Sequence, residues 1–432
     1  MKEYRDILCP VCGCLCDDIE VNVENNSIVK VQNACAMGAS KFLNFSKERL
    51  KNPLMRKNGE LVPCSLNEAI DHISRALVKA EFPVIYGFAL SSCEAIKVGI
   101  ELAEEIGAVI DNQTTVCHGP GVQGLQDIGQ VSCTLGEVKH RADLIIYWGS
   151  NPQDAHPRHF ERYSLLPEGR FRGGKKDRKL VVVDVRKTAT ARMADFYIRI
   201  EQGKDFELIS ALRALLRFED IEQEQVAGIP KEKVEELAEM MRSCEYGVIF
   251  FGQGLTQTIG KDRNGDNLFA LVRDLNKFTK FLVMPIRGHY NVTGSNEVLT
   301  WQTGFPFGVD LSKGYPWYNP GDTTVVDIFR RGENDLTLVV GSDPLAHLPR
   351  RATMHILEHP LFTIDPSMSL TAMASNVVIP SAFYGLEAEG TAYRMDGVAL
   401  PLKKIVEPPE GILPDEEILR RILEKVKEIR GK

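Results

Sequence analysis

Cysteine is concentrated at the start of this 432-residue chain. Cys9, Cys12, Cys16 and Cys35 follow the spacing C-x2-C-x3-C-x18-C, and Cys14 lies inside the loop. Four thiolates spaced in this way can surround one [4Fe–4S] cluster. Structural zinc also accepts four cysteines, but more often from two C-x2-C pairs, and the second pair is missing from this segment. The spacing therefore predicts an iron–sulfur site, with zinc as the alternative.

A second group of reactive residues begins at Cys117 and His118, in the Gly- and Pro-rich segment 114–124, TTVCHGPGVQG. The glycines and proline predict a segment too broken for a regular helix. Arg287 lies in segment 284–295, MPIRGHYNVTGS, where a strand leads into a Gly-rich loop. A lone cysteine is more often a small core residue, and a lone arginine is usually at the surface or in a salt bridge. If the fold brings the three together, they suit a metal centre that acts on a small anion.

The elements that position these residues are short apolar strands alternating with amphipathic helices. Strand patterns occur at 83–88, 143–150, 180–186, 246–254, 281–288, 335–342 and 361–365. Helical periodicity occurs at 68–80, 93–107 and 231–244. Such alternation predicts an α/β fold with doubly wound parallel sheets, in which ligands bind beyond the carboxyl ends of the strands.

One motif occurs twice, as DLIIYWGSNPQDAHPR at 143–158 and DLTLVVGSDPLAHLPR at 335–350. Each copy reads as a strand, a Gly-Ser-x-Pro turn and then a His, a Pro and an Arg. A single copy is equally well explained as a strand stopped by a turn. The duplication favours two similar phosphate- or nucleotide-binding turns.

Composition narrows the possible functions. A net charge of −7, with acidic and basic residues mixed along the chain, argues against a nucleic-acid partner. The first residues lack the pattern of a secretion signal, and no apolar stretch is long enough to span a bilayer, so a cytoplasmic location is expected. The segment PDEEILRRILEKVKEIR (414–430) is predicted to be a charged surface helix.

Over nearly its whole length the sequence resembles the molybdopterin oxidoreductases of the dimethyl sulfoxide reductase and formate dehydrogenase type, and most closely the B subunits of archaeal formylmethanofuran dehydrogenases. Four segments carry the resemblance besides the N-terminal cysteines. They are RLKNPLMRKNGELVPCSLNEAIDHI (49–73), VCHGPGV (116–122), PIRGHYNVTG (285–294) and SNVVIPSAFYGLEAEGTAYRMDG (375–397).

The resemblance implies roles for individual residues. Cys117 would be the protein ligand of tungsten or molybdenum, His118 would handle a proton and Arg287 would clamp the anion, while the four N-terminal cysteines would hold one [4Fe–4S] cluster. Two molybdopterin guanine dinucleotides would complete the metal site. Their contacts would be Gly149, Ser150, Asn151, Pro152, Asp184, Arg186, Asp205, Gly252, Gly254, Gln257, Asn291, Gly341, Asp343, Asp365, Glu389, Gly390 and Thr391.

The resemblance also implies a domain organisation. A small [4Fe–4S] domain at 1–59 would be completed by 376–432. A first dinucleotide-binding domain would comprise 60–113 with 289–375, and a second, at 114–288, would carry the metal ligand. A C-terminal β-barrel that covers the pterins in single-chain relatives is expected to be missing.

Two positions depart from the family pattern. Met37 stands where relatives have a lysine thought to lie between the cluster and the pterin, and Asn376 stands where they have an aspartate. The lysine's role in electron transfer is therefore in question for this sequence.

The implied activity is reversible reduction of CO2 to formate with electrons from the iron–sulfur cluster, as part of methanogenesis. The formate would pass to an amidohydrolase subunit for condensation with methanofuran, and the complex would include a pterin-covering β-barrel subunit and polyferredoxin subunits. A free-standing formate dehydrogenase is one alternative. A metal-free electron-transfer or assembly subunit is another.

Overall fold

The computed structural model describes residues 1–431 and divides into two compact units. Unit 1 consists of Met1–Val116, His289–Arg394 and the residues from Ala399 onward. Unit 2 consists of Cys117–Gly288 with Met395–Val398. Among the described residues, no helix is both long and apolar enough to cross a membrane.

In chain order, the first part of unit 1 contains β1 (Lys2–Ile7), β2 (Ile19–Glu24), β3 (Ser27–Gln32), α1 (Ala36–Asn44), β4 (Leu54–Lys57), β5 (Glu60–Pro63), α2 (Leu66–Lys79), β6 (Pro83–Gly87), α3 (Cys93–Ile106), β7 (Val109–Asn112) and a 3-10 turn (Gln113–Val116). Unit 2 contains α4 (Gly119–Ile128), α5 (Leu135–Arg141), β8 (Leu144–Trp148), α6 (Pro152–Ala155), α7 (Arg158–Arg162), a 3-10 turn (Gly174–Asp177), β9 (Lys179–Asp184), α8 (Ala189–Arg192), β10 (Phe196–Arg199), α9 (Asp205–Leu215), β11 (Gln225–Val226), β12 (Ile229–Pro230), α10 (Lys231–Ser243), β13 (Tyr246–Phe251), α11 (Gln253–Thr256), α12 (Asp262–Leu275) and β14 (Lys280–Pro285). The remainder of unit 1 contains α13 (Val292–Thr303), β15 (Val309–Asp310), β16 (Trp317–Tyr318), α14 (Val325–Arg331), β17 (Leu336–Val340), α15 (Pro344–His347), α16 (Arg350–Glu358), β18 (Leu361–Ile364), α17 (Leu370–Ala374), β19 (Val377–Ile379), β20 (Gly390–Tyr393), β21 (Ala399–Leu402) and α18 (Asp415–Ile429).

Unit 2 is built on a five-stranded parallel sheet in the order β10-β9-β8-β13-β14. The chain starts in the centre at β8, moves outward to β10, and returns to the other side of β8 for β13 and β14. The switch point of this doubly wound sheet therefore lies between β8 and β13, where such sheets bind ligands. Its core is almost entirely aliphatic and aromatic, because both faces are covered by helices.

Unit 1 is built on a nine-stranded sheet in the order β16-β15-β7-β6-β17-β18-β19-β4-β5. Its five central strands are parallel, and an antiparallel pair continues the sheet at each end. A separate three-stranded antiparallel sheet, β1-β2-β3, contains the N-terminal residues. The prediction of parallel α/β sheets in two lobes is confirmed.

The five parallel strands have the same spatial arrangement in both units, but the chain enters that arrangement at a different strand in each unit. In unit 2 the motif strand β8 comes first and its neighbours β13 and β14 come last. In unit 1 the neighbours β6 and β7 come first, and the motif strand β17 comes after them. The two sheets are thus circular permutations of each other, and each repeated turn follows the strand at the switch point.

The segment after Cys117 forms a regular helix, α4, so the prediction of a broken segment was wrong. The glycines serve close packing instead of a turn. A side chain at Gly124 would come within 2.9 Å of the Asp266 backbone nitrogen at α12, and one at Gly121 within 3.1 Å of the Phe251 ring. Pro120 occupies the first turn, where it is tolerated.

The C-terminal helix α18 is not merely a surface helix, as predicted. Its apolar stripe, which includes Ile418, Ile422 and Val426, is fully buried against α2 and α3 in unit 1. The charged residues that suggested a surface location form i,i+4 pairs on the opposite face. The helix therefore belongs to the hydrophobic core of unit 1.

Candidate active site

The two Gly-Ser-x-Pro turns have nearly identical backbones. Gly149 and Gly341 end their strands with φ of 56° and 54°. Asn151 and Asp343 then cap the short helices α6 and α15, with φ/ψ of −124°/74° and −125°/73°. The repeat seen in the sequence is therefore a repeat of conformation, and we call these segments the switch turns (149–152 and 341–344).

The hydrogen bonds around the switch turns are repeated as well. The Asn151 Oδ1 atom accepts hydrogen bonds from the backbone N and Oγ1 of Thr190, at 3.2 and 2.7 Å. The Asp343 Oδ1 atom accepts the same pair from Thr371, at 3.0 and 2.6 Å. Each side chain thus ties its turn to the helix that follows the next strand. Asparagine and aspartate are equivalent at this position because both have an Oδ1 atom that can accept these hydrogen bonds.

Glycine is required in the first switch turn because other backbone lies against it. A Cβ atom on Gly149 would come within 2.7 Å of the Gly254 carbonyl carbon, and one on Gly254 within 2.6 Å of the Gly149 Cα. A Cβ on Gly252 would lie 2.5 Å from the Gly149 oxygen. The predicted glycines 149, 252 and 254 therefore form one close-packed backbone crossing at the switch point of unit 2.

Cys117 lies at the start of α4, partly buried. Its backbone oxygen accepts hydrogen bonds from Thr256 Oγ1 at 3.1 Å and Gln257 Nε2 at 2.8 Å. Burial raises the pKa of the thiol, while a hydrogen bond from the Gln253 side chain and the charge of Arg287 act to lower it. The sulfur is therefore held on a fixed backbone beside a permanent cation.

His118 is fully buried and its tautomer can be deduced from its surroundings. Its Nε2 atom is 2.9 Å from the Ile286 carbonyl oxygen, which can only accept, so Nε2 carries the hydrogen. The Nδ1 atom is buried without a hydrogen-bond partner. Burial, followed by the Arg287 charge, lowers the pKa of the ring to about 3. His118 is thus a neutral base with one unused lone pair.

Arg287 is 9% exposed, and the backbone oxygens at and before it hold two histidine side chains by hydrogen bonds. The Ile286 oxygen accepts from His118, and the Arg287 oxygen accepts from His156 Nε2 at 2.7 Å. His156 Nδ1 is also buried without a partner, and burial lowers the pKa of this ring to about 4. The segment after β14 therefore fixes two neutral imidazoles and one guanidinium together in unit 2.

The N-terminal cysteines are packed around the start of α1 in unit 1. Cys35 is the N-cap, and its sulfur accepts a hydrogen bond from the Gly38 nitrogen. A Cβ on Gly38 would lie 3.2 Å from the Cys9 sulfur and 3.7 Å from the Cys35 sulfur. Burial and the neighbouring thiols of Cys16, Cys12 and Cys35 raise the pKa of Cys9. All four predicted cysteines therefore come together.

A cavity of about 340 Å³ in unit 1 opens onto the second switch turn. Its walls include Gly341 and the predicted residue Asp365, whose pKa burial raises to about 7. Pro10 and Val11, from the loop that carries the cysteines, line the same cavity. So does Lys41, whose ammonium lies 4.8 Å from the centre of the Phe383 ring and whose pKa is lowered by burial.

The other predicted cofactor contacts are distributed between the units. In unit 2, the Asp184 Oδ1 atom accepts from the Arg186 nitrogen, and buried Asp205 accepts from Trp148 Nε1 at 2.8 Å. In unit 1, the Thr391 nitrogen and hydroxyl both donate to Glu94. Gly390 and exposed Glu389 precede it in the chain.

The Asn291 side chain is used within the protein. Its Nδ2 donates to the Ser91 oxygen and its Oδ1 accepts from the Tyr393 nitrogen, each at 2.8 Å. It therefore joins α13 to two other segments of unit 1.

Sequence reasoning missed Gln253, His156 and Lys41. Gln253 lies inside the Gly252–Gly254 motif, and His156 is the histidine of the first repeat, so both had a usable signal. Lys41 follows the exceptional Met37 by four residues, which is one helical turn on α1. Met37 itself is 39% exposed.

Known proteins resemble this chain over most of its length. The model of the molybdopterin oxidoreductase family matches residues 49–425. The chain is 50% identical, over 99% of its length and all of the relative's, to the B subunit of the tungsten-containing formylmethanofuran dehydrogenase 2 of Methanocaldococcus jannaschii. It is 47% identical over both full lengths to the B subunit of the same enzyme from Methanococcus maripaludis.

Two solved structures share the fold at low sequence identity. A chain of the formyltransferase/hydrolase complex of Methylorubrum extorquens, solved with methylofuran, aligns with a TM-score of 0.69 at 22% identity. It covers 85% of this chain and 98% of that one. Acetylene hydratase from Pelobacter acetylenicus aligns with a TM-score of 0.74 at 14% identity, over 98% of this chain and 69% of that one.

Proposed function

This chain belongs to the molybdopterin oxidoreductase family and, within it, to the B subunits of formylmethanofuran dehydrogenase, and from this premise we propose that it interconverts CO2 and formate at a tungsten or molybdenum pterin centre bound through Cys117. The observation that carries the proposal is the convergence of Cys117, His118 and Arg287 in unit 2. There a thiol, an imidazole with an unused lone pair and a guanidinium share one buried environment.

The residues present fit a pterin cofactor with two dinucleotide arms. Two switch turns of one conformation suit two copies of one ligand. Close-packed glycine backbone at the first turn allows a phosphate to approach main-chain N–H groups. We therefore assign one guanine dinucleotide to each turn, with Asp184 and Asp365 as acceptors for its polar groups. When bound, such a centre supplies the two-electron chemistry that amino-acid side chains lack.

Arg287 binds and orients the one-carbon anion. Its guanidinium keeps its charge at all relevant pH values and can hold both carboxylate oxygens at once. Because the arginine is 9% exposed, water competes little for this interaction. The two histidines held by the same backbone segment stop that segment from shifting.

His118 holds and moves the proton. Its Nε2–H is committed to the Ile286 oxygen, so Nδ1 is the atom that accepts or returns a proton. The nearby guanidinium and burial disfavour the charged ring, which makes protonated His118 a strong acid. A proton placed there is therefore passed on readily, and His156 offers a second unoccupied Nδ1 atom.

The four N-terminal cysteines hold a [4Fe–4S] cluster in this proposal. Among the described residues, no three of these sulfur atoms lie within 4.8 Å of one another. A single zinc ion with Zn–S bonds of about 2.3 Å would draw its sulfurs to about 3.8 Å, so the wider spacing favours a cluster. The C-terminal segment that follows residue 375 is proposed to complete this domain, and the two hydrogen bonds that Asn26 exchanges with Glu407 support this.

We assign to Lys41 the role that the lysine at the position of Met37 has in relatives. It lines the cavity shared by the cysteine loop and the second switch turn, whereas Met37 is 39% exposed. A cation at this point would stabilise negative charge on either cofactor.

The chain acts within a complex of several subunits, as its relatives' names as subunits imply. We propose that one partner is an amidohydrolase that joins formate to methanofuran, a second covers the pterins and others are polyferredoxins that deliver electrons. The fold neighbour from a formyltransferase/hydrolase complex solved with methylofuran supports a partner that handles a formyl group.

The test is metal content and activity of the complex purified without oxygen. One tungsten or molybdenum and about four iron atoms per chain are expected, together with formate oxidation by a viologen dye. Zinc in place of iron would reject the cluster. A complex that is purified without any amidohydrolase subunit, and that oxidises formate but not formylmethanofuran, would favour a free-standing formate dehydrogenase. This second candidate is suggested by the 25% identity to Escherichia coli formate dehydrogenase H.

A further inference from the structure

A second group of metal-binding side chains lies in unit 1, at the end of α16. One ligand atom each from His355, Glu358 and His359 lie within 4.8 Å of one another. His355 and Glu358 belong to the last turns of the helix, and His359 is its C-cap. The two histidine rings are 4.6 Å apart between centroids. We call these three residues the His-Glu-His group.

The hydrogen bonds of His355 prepare it as a ligand. Its Nε2 atom lies 3.1 Å from the backbone oxygen of Asn334 and 2.9 Å from its Oδ1 atom. The Asn334 Nδ2 atom donates to the Leu336 oxygen and to Thr337 Oγ1, so the Asn334 atom that faces His355 is the acceptor Oδ1. Two acceptors fix the hydrogen on Nε2, which leaves the lone pair on Nδ1. Metal-binding histidines are commonly oriented by a hydrogen bond of this kind.

The surroundings of the His-Glu-His group favour the binding of a cation. His355 is 9% exposed and Asn334 is 1% exposed, so the first ligand is held rigidly. Glu358 is exposed and His359 partly exposed, so both can close on an ion from the solvent side. The helix ends at this point, and its carbonyl-rich C-terminus attracts positive charge. Gly332 also leaves space beside the His355 Nδ1 atom. A Cβ atom at Gly332 would be in van der Waals contact with this nitrogen, at 3.6 Å.

We propose that the His-Glu-His group binds a divalent transition-metal ion of the zinc type. Two imidazoles and one carboxylate suit such ions, whose bonds to N and O are about 2.0–2.2 Å. Ligand atoms around such an ion lie about 3.4 Å apart, so three ligand atoms within 4.8 Å of one another are already near this geometry. Three protein ligands leave a position for water or for a ligand from another molecule. The site uses no residue of the proposed active site, so the inference stands independently of the proposed function.

Cobalt(II) is the probe, because its absorption reports the type of ligand. The full chain, purified without oxygen and with its own metals in place, is titrated with Co²⁺ while visible absorption and bound cobalt are measured. One additional ion per chain is expected, with no sulfur-to-cobalt charge-transfer band. Glu358→Gln and His359→Ala should each weaken binding by at least about tenfold. Both changes affect side chains with solvent exposure, so these variants keep the site testable even when His355→Ala does not fold.

His72→Ala is the control, since His72 is an exposed histidine of α2 outside the group. It should bind cobalt as the unchanged chain does. Unchanged affinity and stoichiometry in the Glu358→Gln/His359→Ala double variant would reject the site. A sulfur charge-transfer band would also reject it, because it would place the ion on cysteine.

Discussion

Arg287 and His118 divide the work of the proposed site because burial, together with the charge of Arg287, keeps His118 neutral. The guanidinium contributes to the lowered pKa of His118, so the pair carries a single positive charge at neutral pH. That charge is available to the anion, while the imidazole is available to the proton. Two neighbouring cations would instead repel each other and loosen the backbone segment that carries the arginine.

Replacing Arg287 by lysine tests the clamp. Lysine keeps the charge but loses the planar fork, so activity per bound tungsten or molybdenum should fall by about 10²-fold or more. Metal and iron contents should stay unchanged. Formate oxidation with a viologen dye, divided by metal content, measures this. Arg273→Lys, at an exposed position of α12, is the control and should retain full activity. If Arg287 is purely structural, metal content and thermal stability would fall together.

Cys117→Ala should abolish activity, because it removes the only proposed bond between protein and metal, while iron content should not change. Cys244→Ala is the matched control, since it removes a partly buried thiol elsewhere in unit 2. A core cysteine costs about 1 kcal/mol or less of stability when truncated and leaves activity intact. Near-normal activity in a metal-loaded Cys117→Ala protein would rule out the ligand role.

The types of the active-site residues could be predicted from the sequence, but their protonation states could not. Cys117, His118 and Arg287 stood out because of their motifs. The neutrality of His118 depends on its burial and on the charge of Arg287. Its tautomer depends on the Ile286 carbonyl, which lies 168 positions further along the chain. Lys41 was missed for a related reason: its role depends on α1 presenting it to a cavity formed by several segments that are distant in the sequence.

At the scale of elements, the switch turns depend on backbone contacts that only glycine permits. Gly149→Ala combines positive φ with a contact of 2.7 Å to the Gly254 carbonyl carbon, so backbone must move. Gly304→Ala also has positive φ, but nothing lies within 4 Å of its Cβ. We expect a loss of about 1 kcal/mol in the free energy of unfolding for Gly304→Ala and at least about 2 kcal/mol more for Gly149→Ala.

Denaturant unfolding of the two variants measures this difference, and pterin content measures its effect on the site. Gly149→Ala should also lose cofactor, whereas Gly304→Ala should keep it. Equal destabilisation would mean that the close contact at the switch point relaxes without cost.

All seven strands predicted from apolar runs are present, because buried parallel strands have an unmistakable composition. The strands β7, β10 and β19 were not predicted. β7 and β10 include polar residues and β19 has only three residues, so each carries less apolar pattern than the mostly apolar β18. The helix α4 was missed because Gly121 and Gly124 lower helix propensity. The close packing of those glycines against Phe251 and α12 compensates, and that packing is visible only in three dimensions.

At the scale of the whole molecule, the buried histidines of unit 2 and the buried aspartates of unit 1 should change stability in opposite directions when the pH falls. In unit 2, burial lowers the pKa of His118 and His159 to about 3 and that of His156 to about 4. Below pH about 6.5 the unfolded chain binds protons at these residues that the folded unit does not bind. The free energy of unfolding of unit 2 therefore falls with pH, by up to about 1.4 kcal/mol per pH unit for each histidine.

In unit 1, burial raises the pKa of Asp111 and Asp415 to about 6. The unfolded values are about 3.9, so between roughly pH 6 and 4 the folded unit binds more protons than the unfolded chain. These aspartates therefore stabilise unit 1 as the pH falls through this window, and that stabilisation is lost as the pH rises above about 6.

Hydrogen exchange at pH 7 and pH 5, corrected for the intrinsic rate, should separate the units. Protection in β8 and β13 should fall on acidification, while protection in β6 and β17 should fall less. Unit 1 also contains His289, His347 and His355, whose pKa burial lowers, so its aspartates offset a loss that these histidines cause. His118→Gln should reduce the loss in unit 2, and Asp415→Asn should increase the loss in unit 1. An equal loss of protection in both units would contradict the assignment of the opposing groups.

The circular permutation of the two sheets sets an order of events during translation. The unit 2 sheet comes from one continuous stretch of chain, so it can close as soon as β14 leaves the ribosome. The unit 1 strands β6 and β7 emerge earlier, but β17, which pairs with β6, and β15, which pairs with β7, are made only after the whole unit 2 sheet. At about 5–20 residues per second β6 and β7 wait on the order of ten seconds with apolar edges unpaired. During that interval the nascent chain is most exposed to misassembly, and a chaperone that shields the segment 83–112 would be most useful.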